Sequence, residues 1–164
     1  MILHLLDMKD SGFAASLKAL SAQERGRGFS KSYTDGVMAV CVSQKAHVGI
    51  DLEVKQPRSP ETIRYFLEKF KTFDILDTPR NVDVQWFYTA WTAMESYLKL
   101  AGFGFFAQKN FAINTGGKAI LCGGKEVAWF EHFYIENLII CICSDKKIVK
   151  QDVEIKYHGW EGRK

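Results

Sequence analysis

Along the 164-residue chain, runs with apolar side chains at every second position alternate with runs that repeat them every third or fourth. The first pattern belongs to strands and the second to helices with one buried stripe. Met1 to Asp7 therefore reads as a strand and Phe13 to Gly26 as a short helix. Val37 to Ser43 and His47 to Val54 are strands joined by "QKA". In "SPETIRYFLEKFKTF", Ile63, Phe66, Leu67, Phe70 and Phe73 recur at helical spacing. Ser59 can cap that helix and Pro60 suits its first position. The polar stretch "DTPRNVD" is a loop, after which a long helix covers Val84 to Ala101 and stops at "GFG". Glycine-punctuated strands follow, and "HGWEGRK" reads as a frayed tail.

The element order is that of an α+β protein. Shifting the chain by 101 residues lays "TDGVMAVCVSQKAHVGIDLEVK" over "IENLIICICSDKKIVKQDVEIK" without a gap. Ser43, Lys45, Val48, Asp51, Glu53 and Lys55 then meet Ser144, Lys146, Val149, Asp152, Glu154 and Lys156. The expectation is one domain over 1–164, made of two similar α+β halves at about 1–58 and 84–157. Such halves pack around a pseudo-twofold axis, with a ligand groove between them.

Composition narrows the class. The chain is 47% hydrophobic and 25% charged, as in an ordinary globular protein. A net charge of +3 permits phosphate-bearing partners but gives no argument for nucleic acid. No apolar run is long enough to span a membrane, and "MILHLLDMKD" reads as a strand rather than a signal peptide. Cys41, Cys141 and Cys143 fall in strand-like apolar runs, which fits reduced cysteines in a cytoplasmic protein. His47 and His132 have apolar or aromatic neighbours and read as packed; Trp129 and Phe130 read as core.

The chemistry starts in "AHVGIDLEV". Asp51 and Glu53 stand two apart in a strand, so they share a face, and each raises the other's pKa unless a positive charge intervenes. The helix "WFYTAWTAMESYLKLAGFG" carries Trp91, Glu95 and Lys99 along one edge of its apolar stripe. Glu95 and Lys99 fit a helical ion pair. They equally fit a third carboxylate for a magnesium site and a lysine for the phosphate that the metal polarises.

Together "VGIDLE" and, some forty residues on, "WTAMESYLKLAGFG" resemble the paired signature of the 4′-phosphopantetheinyl transferases, the surfactin-type group in particular. "ALSAQERGRGF" and "FSKSYTDGVMAVCVS" resemble that family's arginine-rich segment and serine-containing strand entry. The resemblance implies a fold of paired α+β halves with the active site between them. It also implies transfer of the phosphopantetheine arm of coenzyme A to a serine of an acyl or peptidyl carrier protein, releasing 3′,5′-ADP. Asp51, Glu53 and Glu95 fall where the family binds Mg²⁺, and Lys99 where it contacts phosphate. Glu95 and Lys99 are the implied catalytic pair. Arg25, Lys31, Ser32, Tyr33 and Lys99 are the implied contacts to coenzyme A. The expected form is a cytoplasmic monomer without nucleic-acid or membrane partners.

The sequence also departs from the family's pattern. Met94 stands where the family usually has lysine, and Tyr33 where it has histidine. The helix and lysine-proline loop that the surfactin-type pattern carries between Phe29 and Ser30 are missing. These departures leave open an inactive homologue that binds carrier proteins. A magnesium nuclease is the more distant alternative, because such enzymes place their lysine two residues after the glutamate on a strand.

Overall fold

The computed structural model describes residues 1–22, 28–69, 73–103 and 111–160. Among these residues the order is β1 (Ile2–Asp7), α1 (Phe13–Ala22), β2 (Gly28–Thr34), β3 (Val37–Ser43), β4 (Val48–Val54), α2 (Pro60–Lys69) and β5 (Phe73–Ile75). Then follow α3 (Val84–Ala101), β6 (Phe111–Asn114), β7 (Ala119–Cys122), β8 (Lys125–Ile135), β9 (Leu138–Ser144), a 3-10 turn at Lys150–Asp152 and β10 (Glu154–His158). No helix among the described residues is long and apolar enough to cross a membrane.

The strands form two sheets, ordered β10-β1-β3-β2 and β4-β9-β8-β7-β6-β5. The fold is α+β, as the element order implies. Strands β3 and β9 are apolar on both faces because both faces are covered. Val37, Ala39 and Cys41 meet Ile50, Leu52, Ile140 and Ile142 in the core between the sheets. On the outer face of the first sheet, Met38 and Val40 pack with Leu6 and Leu20, under α1. On the outer face of the second, Cys141 and Cys143 lie against Ala93, Met94, Tyr97 and Leu98 of α3. Burial pushes the Cys41 thiol up to about 12 and Cys141 well above its usual value. Both are therefore protonated packing groups, not nucleophiles.

The helix ends follow their local chemistry. Ser59 accepts from the Thr62 amide at 3.2 Å, and Asp83 caps α3 by accepting from the Trp86 amide at 2.7 Å. Gly102, at φ 65°, ends α3 in the left-handed conformation that glycine adopts freely.

Three local expectations change. Phe73 opens β5 and pairs with Phe111 instead of extending α2, so its helical spacing with Phe70 is coincidental. Over 158–160 the tail is less frayed than its composition implies; 161–164 lie outside the described residues. His158 ends β10 with its Nε2 2.9 Å from His4 Nδ1, and Trp160 packs on the central core. His47 is exposed and pairs with Asp145 at 2.9 Å, whereas His132 is buried as expected. The last residues of the first predicted helix, 23–26, lie outside the described residues, as do 104–106 of "GFGFF".

The internal repeat corresponds to a pair of hairpins. β2 and β3 pair from Gly28↔Ser43 to Thr34↔Val37. β8 and β9 pair from Trp129↔Ser144 to Ile135↔Leu138, which is the same register 101 residues on. Each two-residue turn begins with a left-handed non-glycine, Asp35 at φ 46° and Glu136 at φ 53°. The likeness stops there. The positions opposite β4, 149–155, form the 3-10 turn and only the start of β10.

His132 lies beneath α3 with its Nε2 3.0 Å from Thr92 Oγ1. Burial, above all, lowers its pKa from 6.5 to about 4. The unfolded chain then binds a proton that the folded chain refuses, so stability is lost as pH falls from 6.5 toward 4. Between pH 7 and 5, the wild type is expected to lose on the order of 1–2 kcal/mol relative to His132→Gln, as read by urea unfolding. Parallel pH profiles for the two proteins would contradict this.

Candidate active site at the seam between the sheets

Strand β2 is the edge of the first sheet, β4 is the edge of the second, and the two run side by side. Side chains bridge the seam: the Ile50 amide donates to Ser30 Oγ at 3.0 Å, and Ser32 Oγ donates to Asp51 Oδ1 at 3.1 Å. Even-numbered residues of β4 enter the central core, which turns Gly49, Asp51 and Glu53 toward α3.

Glycine at position 49 sets how closely α3 approaches. A Cβ there would overlap the Ser96 carbonyl oxygen and lie 2.5 Å from the Leu100 amide nitrogen. Two residues along a strand advance about 6.6 Å and four along a helix about 6 Å, so steps of two on β4 match steps of four on α3. Trp91, Glu95 and Lys99 are therefore brought alongside Glu53 and Asp51. Trp91 Nε1 donates to Glu53 Oε1 at 3.2 Å. Lys99 Nζ donates to Asp51 Oδ1 at 2.7 Å and to Ser32 Oγ at 3.0 Å.

The positive group beside Asp51 is thus Lys99. The i,i+4 ion pair that spacing allows between Glu95 and Lys99 is not among the ion pairs of the described residues; Lys99 pairs across to the strand. Burial explains the choice. Asp51 is only 4% exposed, so it needs a counter-charge more than the half-buried Glu95 does.

One ammonium cannot neutralise three carboxylates. Burial raises the Glu95 pKa to about 7, with the charges of Asp51 and Glu53 adding to it and Lys99 opposing. Glu53 is raised as well, by burial first and then by Asp51, while the Trp91 N–H and Arg58 act against the rise. Among the described residues, Asp51 Oδ2 is buried without a hydrogen-bond partner. A buried orphan oxygen, two carboxyls that resist ionising and three carboxyl groups set against one lysine fit a hard divalent cation. Among the described residues, no three acidic, histidine or cysteine side chains are gathered into a metal-binding cluster.

Of the residues expected at coenzyme A, Ser32 and Lys99 meet at this site. Lys31 and Tyr33 alternate with Ser32 and lie on the opposite face of β2, that of α1, and Tyr33 is 69% exposed. Arg25 lies outside the described residues, as does Arg27. Met94 is buried under α3 and touches none of the acids' hydrogen bonds. β2 runs unbroken through Phe29 and Ser30, where the surfactin-type insertion would stand. Gly49 and the Trp91–Glu53 bond were not anticipated, although the two-on-four spacing was there to be read.

The acids and the lysine lie inside a stretch with recognisable relatives. Residues 47–143 match the model of the 4′-phosphopantetheinyl transferase superfamily. The chain is also similar to 4′-phosphopantetheinyl transferase Sfp of Bacillus subtilis (strain 168), at 30% identity over 69 residues, or 42% of this chain. That stretch spans 31% of the relative's length. With Asp51, Glu53, Glu95 and Lys99 all inside the matched region, the chain belongs to the 4′-phosphopantetheinyl transferase superfamily.

Proposed function

We propose that the chain transfers the 4′-phosphopantetheine arm of coenzyme A to a serine hydroxyl of an acyl or peptidyl carrier protein. The observation that carries this reading is Lys99 bound to Asp51 across the seam, with the charges of Asp51 and Glu53 felt at Glu95, within the stretch that matches the family. Asp51, Glu53 and Glu95 would hold Mg²⁺, which when bound would neutralise charge on the pyrophosphate. The other steps fall to the chain's own residues. Glu95 accepts the proton of the attacking hydroxyl, directly or through water. The hydroxyl oxygen bonds to the β-phosphorus as the bond to the bridging oxygen breaks, and that oxygen leaves with 3′,5′-ADP. Lys99, its side chain one-third exposed, stabilises the charge on the departing phosphate. Trp91 fixes the Glu53 carboxylate through its indole N–H.

The same reading takes the working form to be a cytoplasmic monomer. It draws on the free, buried Cys41, Cys141 and Cys143, which suit a reducing compartment, and on a seam built within one chain. Calorimetric titration of coenzyme A with and without Mg²⁺ tests it. Binding should strengthen at least about tenfold with Mg²⁺ and lose that dependence in Asp51→Ala. Equal binding in the two conditions would refute the metal's part.

A further inference from the structure

Lys99 carries a tension that the proposed reaction leaves unresolved. The reaction asks its ammonium to meet a phosphate, yet in the structure that ammonium is bound to Asp51 at 2.7 Å. We infer that Lys99 is an exchangeable counter-ion: it holds Asp51 until a divalent cation arrives, then gives up that carboxylate and turns its ammonium to the substrate phosphate. The inference rests on the proposed transfer reaction.

Three features of the site support it. First, the ammonium has a built seat. Ser32 Oγ accepts from Lys99 at 3.0 Å and donates to Asp51 Oδ1 at 3.1 Å, so the hydroxyl ties lysine and carboxylate together across the seam. Second, only one side of Asp51 is used. Its Oδ2 is buried and has no hydrogen-bond partner among the described residues, which leaves an acceptor for an incoming cation before the lysine departs. Third, Lys99 can leave cheaply. It sits in the last turn of α3, three residues before the Gly102 cap, on a flexible stem whose side chain is 33% exposed. Asp51, at 4% exposure, is enclosed within β4 and its neighbours, whereas the lysine head reaches solvent.

The exchange makes metal and phosphate binding help one another. A phosphate offers Lys99 a second partner and thereby frees Asp51 for the cation; by reciprocity, the cation frees Lys99 for the phosphate. Lys99 therefore opposes metal binding in the absence of substrate.

The test is calorimetric titration of Mg²⁺ into substrate-free wild type, Lys99→Met, Ser32→Ala and Asp51→Asn, each first checked for a cooperative melt. Lys99→Met should bind Mg²⁺ about tenfold more tightly than wild type. Ser32→Ala keeps the charge but removes the seat, and should tighten binding about two- to threefold. Asp51→Asn should bind none. Unchanged affinity in Lys99→Met would overturn the inference while leaving the transfer reaction to its own coenzyme A titration. Tightening in Lys99→Met with no change in Ser32→Ala would also overturn it, since simple charge repulsion would suffice. If no protein binds Mg²⁺ even with coenzyme A present, the inference falls together with the metal's part in the reaction. As a readout independent of variants, the ¹⁵N resonance of the Lys99 ammonium should shift when Mg²⁺ is added to wild type; a stationary resonance would contradict the exchange.

Discussion

Glu95→Gln is expected to cost activity and add stability. Loss of the proposed base should slow carrier modification about 100-fold or more. The same change removes a carboxyl whose folded-state pKa of about 7 lies above its usual 4.5. For a group shifted upward, the folded state binds the proton more tightly, so its contribution is favourable below 4.5 and is lost as pH rises through 7. At pH 8 in chelator, the variant should therefore be more stable than wild type by on the order of 1 kcal/mol, after allowance for solvent screening. The advantage should shrink as pH falls toward 4.5. Urea unfolding at pH 8 and pH 5 measures both ends; a variant weaker than wild type at pH 8 would mean that Glu95 is held by attraction rather than left repelled.

Gly49→Ala should have the largest effect on stability. The added methyl group meets the backbone of α3 at Ser96 and Leu100, and backbone cannot swing aside as a long side chain can. The expected loss is about 3 kcal/mol. Function should suffer beyond that. A helix pushed off β4 separates Lys99 from Asp51 and Trp91 from Glu53, and such displacements of positioned groups cost about 100-fold in rate. Thermal melts together with an activity assay below the melting temperature separate the two effects. Wild-type stability in the variant would show that α3 does not need this close approach.

What could be read from the sequence was what local chemistry determines. The bounds of β3 and α3 were anticipated to the residue, because an apolar run, a closing glycine and a clear 3.6-residue stripe each leave little choice. The four residues proposed for the site came from two short motifs. Their partners were not, because partners depend on which strand lies beside which. β10 pairs with β1 from the far end of the chain, and β4 leaves its hairpin neighbour β3 to pair with β9 in the other sheet. No periodicity records that exchange. The same blindness grouped Lys31 and Tyr33 with Ser32 as neighbours in one site, although strand alternation alone sends them to opposite faces. Glu95 and Lys99 form the converse case. Their spacing on one helix fits an ion pair, but the buried Asp51 across the seam takes the lysine.

The most direct measurement is mass spectrometry of an apo carrier protein incubated with this chain, coenzyme A and Mg²⁺. The account predicts that the carrier gains one phosphopantetheine arm on its serine, that 3′,5′-ADP appears in equal amount, and that Asp51→Ala and Glu95→Gln leave the carrier unmodified over the same period. A carrier that stays apo with the wild-type chain, across acyl and peptidyl carriers alike, would contradict it. The seam between β2, β4 and α3 would then be a homologous fold in which the transfer chemistry has been lost.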